Sequence, residues 1–122
     1  MSEELYWYQA DVIQVIDGDT LDVKVDLGFC ISMLCRLCLF GISCPELFSA
    51  QKDSEDYKKG MAAKERVESL VGGRRIKIKT FKEMKAKYGR YLAQVFVQIG
   101  DTGEVCVNDL LVQEGLAEKK TY

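Results

Sequence analysis

The sequence predicts an α+β fold, mainly β: a five-stranded Greek-key barrel of the OB type with one longer and one short helix. Three observations lead there. Five segments show the two-residue apolar rhythm or the apolar richness of short strands. One helix-forming stretch separates the third strand from the fourth, and turn residues fall between the segments. A chain of 122 residues buries one modest core, so residues 1–122 read as a single domain.

Tyr8–Ile16 reads as the first strand and ends at the turn Asp17-Gly18-Asp19. In the second, Leu21, Val23, Val25 and Leu27 face one way, while Asp22, Lys24 and Asp26 face the other. Leu27-Gly28 turns the chain into a third strand, Ile31–Gly41, apolar enough to be mostly buried. Ser43–Asp56 holds the lone Pro45 and reads as a loop. Lys58–Val71 is rich in helix formers and is stopped by Gly72-Gly73. Arg74–Phe81 alternates again, with Ile76 and Ile78 inward and Lys77 and Lys79 outward. After a basic turn, Tyr91–Val97 is the fifth strand. Asn108 is a candidate N-cap for a short helix, Asp109–Glu114, closed by Gly115.

Hydrophobic residues are 48% and charged residues 30%, which excludes a disordered chain. The start Met1-Ser2-Glu3-Glu4-Leu5 lacks the pattern of a signal peptide, and no apolar run is long enough to cross a bilayer. The expectation is a soluble, cytoplasmic protein with no membrane partner. The five cysteines, an odd number, argue against a secreted disulfide scaffold and for reduced thiols. Cys35-x-x-Cys38 looks like half a zinc motif, with Cys30 and Cys44 as further thiols. Strand geometry opposes zinc, because residues three apart on a strand face opposite sides while zinc ligands converge.

The net charge of −2 is uneven in its distribution. From Arg74 to Arg90 there are eight cations against Glu83 alone, a segment of +7 that leaves −9 for the rest. Such a run is either a solvated strand face or an attractor for a phosphate backbone. Tyr88 and Tyr91 are either barrel-edge packing or stacking faces for bases.

Four groups of residues, in order, carry a family resemblance: Val15-Ile16-Asp17-Gly18-Asp19-Thr20; Arg36-Leu37-Cys38-Leu39-Phe40-Gly41-Ile42-Ser43-Cys44-Pro45-Glu46; Lys87-Tyr88-Gly89-Arg90-Tyr91-Leu92-Ala93; and Val107-Asn108-Asp109-Leu110-Leu111-Val112 followed by Glu114-Gly115-Leu116-Ala117. The chain thereby resembles the thermonuclease (staphylococcal nuclease-like) family. The resemblance implies an OB-fold endonuclease, a phosphodiester hydrolase with nucleic acid, DNA or RNA, as its partner and calcium as the usual ion. It implies Asp19 as a metal ligand, Glu46 as the group that orients or deprotonates water, and Arg90 as the phosphate clamp. Asp17 and Thr20 would support the turn, and Lys87 and Tyr88 would contact a second phosphate.

Two positions depart from the family pattern. Counting back from Pro45, the family's metal-binding aspartate falls on Ser43 and its first catalytic arginine on Cys38. Ser43 offers only a hydroxyl, so the ion would rest on Asp19, Ser43 and the carbonyl of Cys44, weakly. Cys38 has neither the charge nor the fork of a guanidinium. Arg36, two residues earlier, shares its strand face and would reach the catalytic place only across about 7 Å or through a bulge. A redox-labile pairing of Cys38 with Cys44 is a further alternative. The expectation is weak or absent nuclease activity from a degenerate active site, with a non-catalytic nucleic-acid-binding or protein-interaction module as the alternative.

Overall fold

The computed structural model describes residues 6–44, 54–85, 91–101 and 103–119, and of Asp56 and residues 81–85 it describes the backbone. The elements are β1 (Trp7–Asp17), β2 (Thr20–Gly28), β3 (Ile31–Leu39), β4 (Ile42–Ser43), α1 (Glu55–Val71), β5 (Arg75–Lys85), β6 (Tyr91–Ile99), β7 (Gly103–Cys106), α2 (Val107–Gln113) and β8 (Glu118–Lys119). The main sheet runs β3-β2-β1-β5-β6-β7, and a parallel pairing of β3 with β6 closes it on itself. The result is the five-stranded OB barrel, with β7 added outside it and β4–β8 as a separate two-stranded ribbon.

The inward positions fill the barrel with Leu21, Val23, Val25, Leu37, Leu39, Ile76, Ile78, Ala93, Val95 and Val97. β1 breaks its own alternation. Its pairing with β2 skips Ile13 and then Ile16, so Val12 and Val15 both point inward and Ile13 is turned to solvent. The phase of an isolated strand does not survive such a bulge.

Helix α1 begins earlier than the sequence reading placed it. Ser54 is the N-cap, and its hydroxyl accepts the N–H of Tyr57 at 3.1 Å, so Glu55 and Asp56 belong to the helix rather than to a loop. Its buried stripe is Gly60, Ala63, Val67, Leu70 and Val71, at helical spacing. Ser43, also predicted in that loop, lies in β4.

Asn108 is not the N-cap of α2. Cys106 holds that place without a side-chain cap bond, and the helix starts at Val107. The Asn108 amide is instead 2% exposed and works inside the fold. Its Oδ1 accepts the Val95 N–H at 3.1 Å, and its Nδ2 donates to the carbonyls of Phe40 at 2.8 Å and Ala93 at 3.2 Å. It thus ties the exit of β3 to β6. The helix ends in a Schellman arrangement: Leu116 N–H reaches Leu111 O at 2.9 Å, Gly115 N–H reaches Val112 O at 3.1 Å, and Gly115 takes φ 76°.

The β2–β3 hairpin departs most from expectation. Leu27 and the first half of β3 are exposed rather than buried, because the hairpin continues past the end of the barrel. Its turn residues Phe29 and Cys30 take φ 53° and 63°, a conformation that costs non-glycine residues about 1–3 kcal/mol each.

Candidate functional site

The acidic turn between β1 and β2 is where the chain's distant parts meet. A Cβ built on Gly18 would lie 2.5 Å from the Ala63 Cβ and 3.0 Å from the Cys44 Sγ, so glycine is required for close approach. The Asp19 carbonyl accepts the Leu39 N–H at 2.9 Å, which fixes the end of β3 against the turn. The Asp19 carboxylate accepts the Cys44 N–H on Oδ2 at 3.1 Å and the Thr20 hydroxyl on Oδ1 at 3.1 Å. Burial raises its pKa above the usual carboxylate value. The two hydrogen bonds oppose that shift, and the charge of Asp17 adds to it.

Cys44 is buried beside this carboxylate. Burial first, then the charges of Asp19 and Asp17, push its thiol up to about 12, so at neutral pH it is a protonated thiol. Ser43 is exposed and pairs across the β4–β8 ribbon with Glu118. An open cleft of about 290 Å³ lies beside them, lined by Ser43, Cys44, Lys59, Leu116, Ala117 and Glu118. Lys59 and Glu118 were not anticipated. Lys59 stands one helical turn before Ala63, so only the Gly18–Ala63 contact reveals that it belongs here. Among the described residues no three histidine, cysteine, aspartate or glutamate side chains converge as a metal site.

The β2–β3 pairing runs without a shift from Thr20↔Cys38 through Asp22↔Arg36 to Asp26↔Ser32, so no bulge moves Arg36 toward the place of Cys38. Cys38 therefore stands opposite Thr20, the neighbour of Asp19. Arg36 forks onto Asp22, with Nε 2.7 Å from Oδ1 and Nη2 3.1 Å from Oδ2. This fork holds the Asp22 carboxyl below its usual range, with a further bond from Gln14 at 2.8 Å. Cys35 packs against the core, on the strand face opposite to that of Cys38. No disulfide links the five cysteines.

Glu46, Lys87, Tyr88 and Arg90 lie outside the described residues. Within the basic segment, Arg75 bonds Asp11 at 3.2 Å and Asp26 at 2.7 Å, and Lys77 bonds Glu104 at 3.0 Å. Lys77 and Lys79 also stand 5.1 and 5.6 Å from the Trp7 ring centroid. That part of the +7 run is a strand face with its own counter-charges. No helix among the described residues is long and apolar enough to cross a membrane.

A closed five-stranded barrel with a helix between its third and fourth barrel strands is an OB fold, and a half-buried aspartate lies in its first turn. Residues 36–122 match the family described as staphylococcal nuclease homologue. A thermonuclease of Staphylococcus intermedius is 32% identical over 111 residues, covering 91% of this chain and 59% of that protein. A micrococcal nuclease of Shigella flexneri is 30% identical over 119 residues, covering 94% of this chain and 60% of that protein. The chain belongs to the staphylococcal nuclease homologue family, and spans about 60% of the length of the curated relatives it matches.

Proposed function

We propose that this chain is a single staphylococcal nuclease-like domain directed at phosphodiesters in DNA or RNA, with a depleted catalytic set that cleaves weakly or not at all. The observation that carries the reading is the unshifted β2–β3 register. It keeps a cysteine, Cys38, opposite the neighbour of Asp19 and leaves Arg36 forked onto Asp22.

Hydrolysis of a phosphodiester needs positive charge at the phosphoryl oxygens and an oriented water. In this reading Glu46 orients or deprotonates the water and Arg90 forks onto the phosphate. Lys87 and Tyr88 hold a second phosphate, while Asp17 and Thr20 keep the turn in shape. Calcium, the ion implied by family likeness, would be held by Asp19 with the Ser43 hydroxyl and the Cys44 carbonyl, and would neutralise phosphoryl charge. A carboxylate, a hydroxyl and a backbone carbonyl are the kinds of oxygen donor that a hard cation takes. With one carboxylate the affinity is in the millimolar range or weaker. Cys35 and Cys38 face opposite sides of β3, so that pair does not converge on one zinc ion. Five cysteines without a disulfide suit a reducing, cytoplasmic setting.

A cysteine in place of an arginine removes a preorganised donor, a loss of about 3–4 kcal/mol in transition-state stabilisation, or a hundred- to a thousand-fold in rate. The test is the double variant Cys38→Arg with Ser43→Asp, assayed against the parent on single- and double-stranded DNA and RNA with calcium. A gain of about a hundredfold is expected. A parent that already turns over rapidly and gains nothing overturns the proposal.

A non-catalytic nucleic-acid-binding role is favoured by one observation. Trp7 lies 5.3 Å from Phe96 between ring centroids, with two lysines over it, an aromatic and cationic face on β1, β5 and β6. Binding that persists in chelator and weakens steeply with salt supports this role.

A further inference from the structure

The apolar β2–β3 hairpin has no task in the reading above. Its inward row continues past the barrel end through Leu27 and Met33, which are 40% and 39% exposed, to Ile31 at 56%. Leu34 on the other face is 70% exposed, and Phe29 at the tip is 96% exposed. From Leu27 to Cys35 there is no charged residue and no proline, the usual means of blunting an exposed strand. The tip also keeps Phe29 and Cys30 at positive φ, where an Asn-Gly turn would be relaxed.

β3 pairs with β2 along its length, but with β6 only at Leu37, Cys38 and Leu39. Among the described residues, Ile31 to Arg36 therefore present one unpaired side of backbone.

We propose that this edge is the docking surface for a second copy of the chain, joined by antiparallel pairing of β3 with the β3 of its partner. Such a pairing is two-fold symmetric and uses the same surface twice. With the axis at Met33, Ile31 meets the partner's Cys35 and Ser32 meets the partner's Leu34. Arg36 meets the partner's Cys30 with its charge already balanced by Asp22, so no like charges oppose each other. Taking roughly 200 Å² for a fully exposed large apolar side chain, the five exposures amount to on the order of 600 Å² per copy. Two copies together offer about 1,200 Å² of exposed apolar surface, and covering all of it would match the lower end of a specific interface. A nucleic acid fits this tip poorly, because it offers no cation from Leu27 to Cys35.

Sedimentation equilibrium in reductant, from low micromolar to near-millimolar chain, tests the proposal. The expected result is a monomer–dimer equilibrium that Leu34→Lys weakens roughly tenfold or more while circular dichroism stays unchanged. Phe29→Asn should weaken association too, yet raise the melting temperature of the dilute monomer by relaxing the turn, opposite signs that general damage to the fold would not give. A chain monomeric throughout the range overturns the proposal, as does a dimer indifferent to both variants. Monomer that instead sediments with neutral phosphatidylcholine vesicles makes the tip a lipid anchor and likewise overturns it.

Discussion

The Asp19 carboxylate accepts the backbone N–H of Cys44 at 3.1 Å, a bond that spans 25 residues of sequence. It draws the chain leaving the barrel over the acidic turn. Burial is the largest influence on Asp19, so its surroundings disfavour the charged form of the carboxylate.

Asp19→Asn should therefore stabilise the protein at neutral pH. The asparagine oxygen keeps the Cys44 N–H, and its amide can donate to the Thr20 hydroxyl. The sign follows from linkage: below the ordinary value of 3.8 both folded and unfolded parent are protonated and ionisation costs the fold nothing. As pH rises, the unfolded chain ionises first, and the parent loses stability until the raised native pKa is passed. The melting temperature of the variant minus that of the parent should grow over this window and then level off. A variant less stable than the parent at neutral pH contradicts this account of the site.

Gly18 is held to glycine by Ala63 and Cys44 rather than by its backbone angles. Gly18→Ala should cost about 1–3 kcal/mol by overpacking. Ala63→Gly alone should cost about 1 kcal/mol through helix propensity. Combined, the two should cost less than their sum, because the second removes the Cβ that the first strikes at 2.5 Å. Urea denaturation of the four proteins measures the coupling, and strict additivity contradicts the contact.

Asn108→Ala removes three hydrogen bonds from the interior, among them the one that the Val95 N–H makes, while the Ala93 carbonyl keeps the Phe40 N–H at 2.8 Å. A loss of about 3 kcal/mol is expected. Asn108→Asp should be no better, since it turns a carboxylate oxygen toward the carbonyls of Phe40 and Ala93. If Asn108 acted only as a helix cap, Asp would substitute well and Ala would cost about 1 kcal/mol. Chemical denaturation separates these outcomes.

How far the sequence could be read follows from the range of the forces involved. The alternation of Leu21, Val23 and Val25 and the pair Gly72-Gly73 are local signals, and they place β2 and the end of α1 correctly. The bulges at Ile13 and Ile16 depend on the partner strand, so no period in β1 announces them. Asn108 beside Asp109 has the look of a cap, and only the meeting of Phe40, Ala93 and Val95 shows that its amide is a brace. Apolar character in residues 31–34 predicts burial, yet the barrel ends before them. In the site, Asp19 was legible as part of a turn motif, whereas Lys59 and Glu118 reach the cleft through tertiary packing alone.

Arg36 offers the sharpest test of the proposed depletion of the site. Its fork is engaged by Asp22 on an unshifted ladder, two residues along the strand from Cys38. If the residual chemistry belongs to Arg90 and Glu46, Arg36→Ala should leave any measured cleavage rate unchanged. The ion pair is exposed, so the variant should also fold normally. Asp22→Asn should free the fork without raising the rate, because about 7 Å of strand still separates the two positions. Steady-state cleavage by parent, Arg36→Ala, Asp22→Asn and Cys38→Arg decides the matter. A rate lost in Arg36→Ala and unimproved in Cys38→Arg would mean that Arg36 itself serves the phosphate, and that the site is rebuilt rather than depleted.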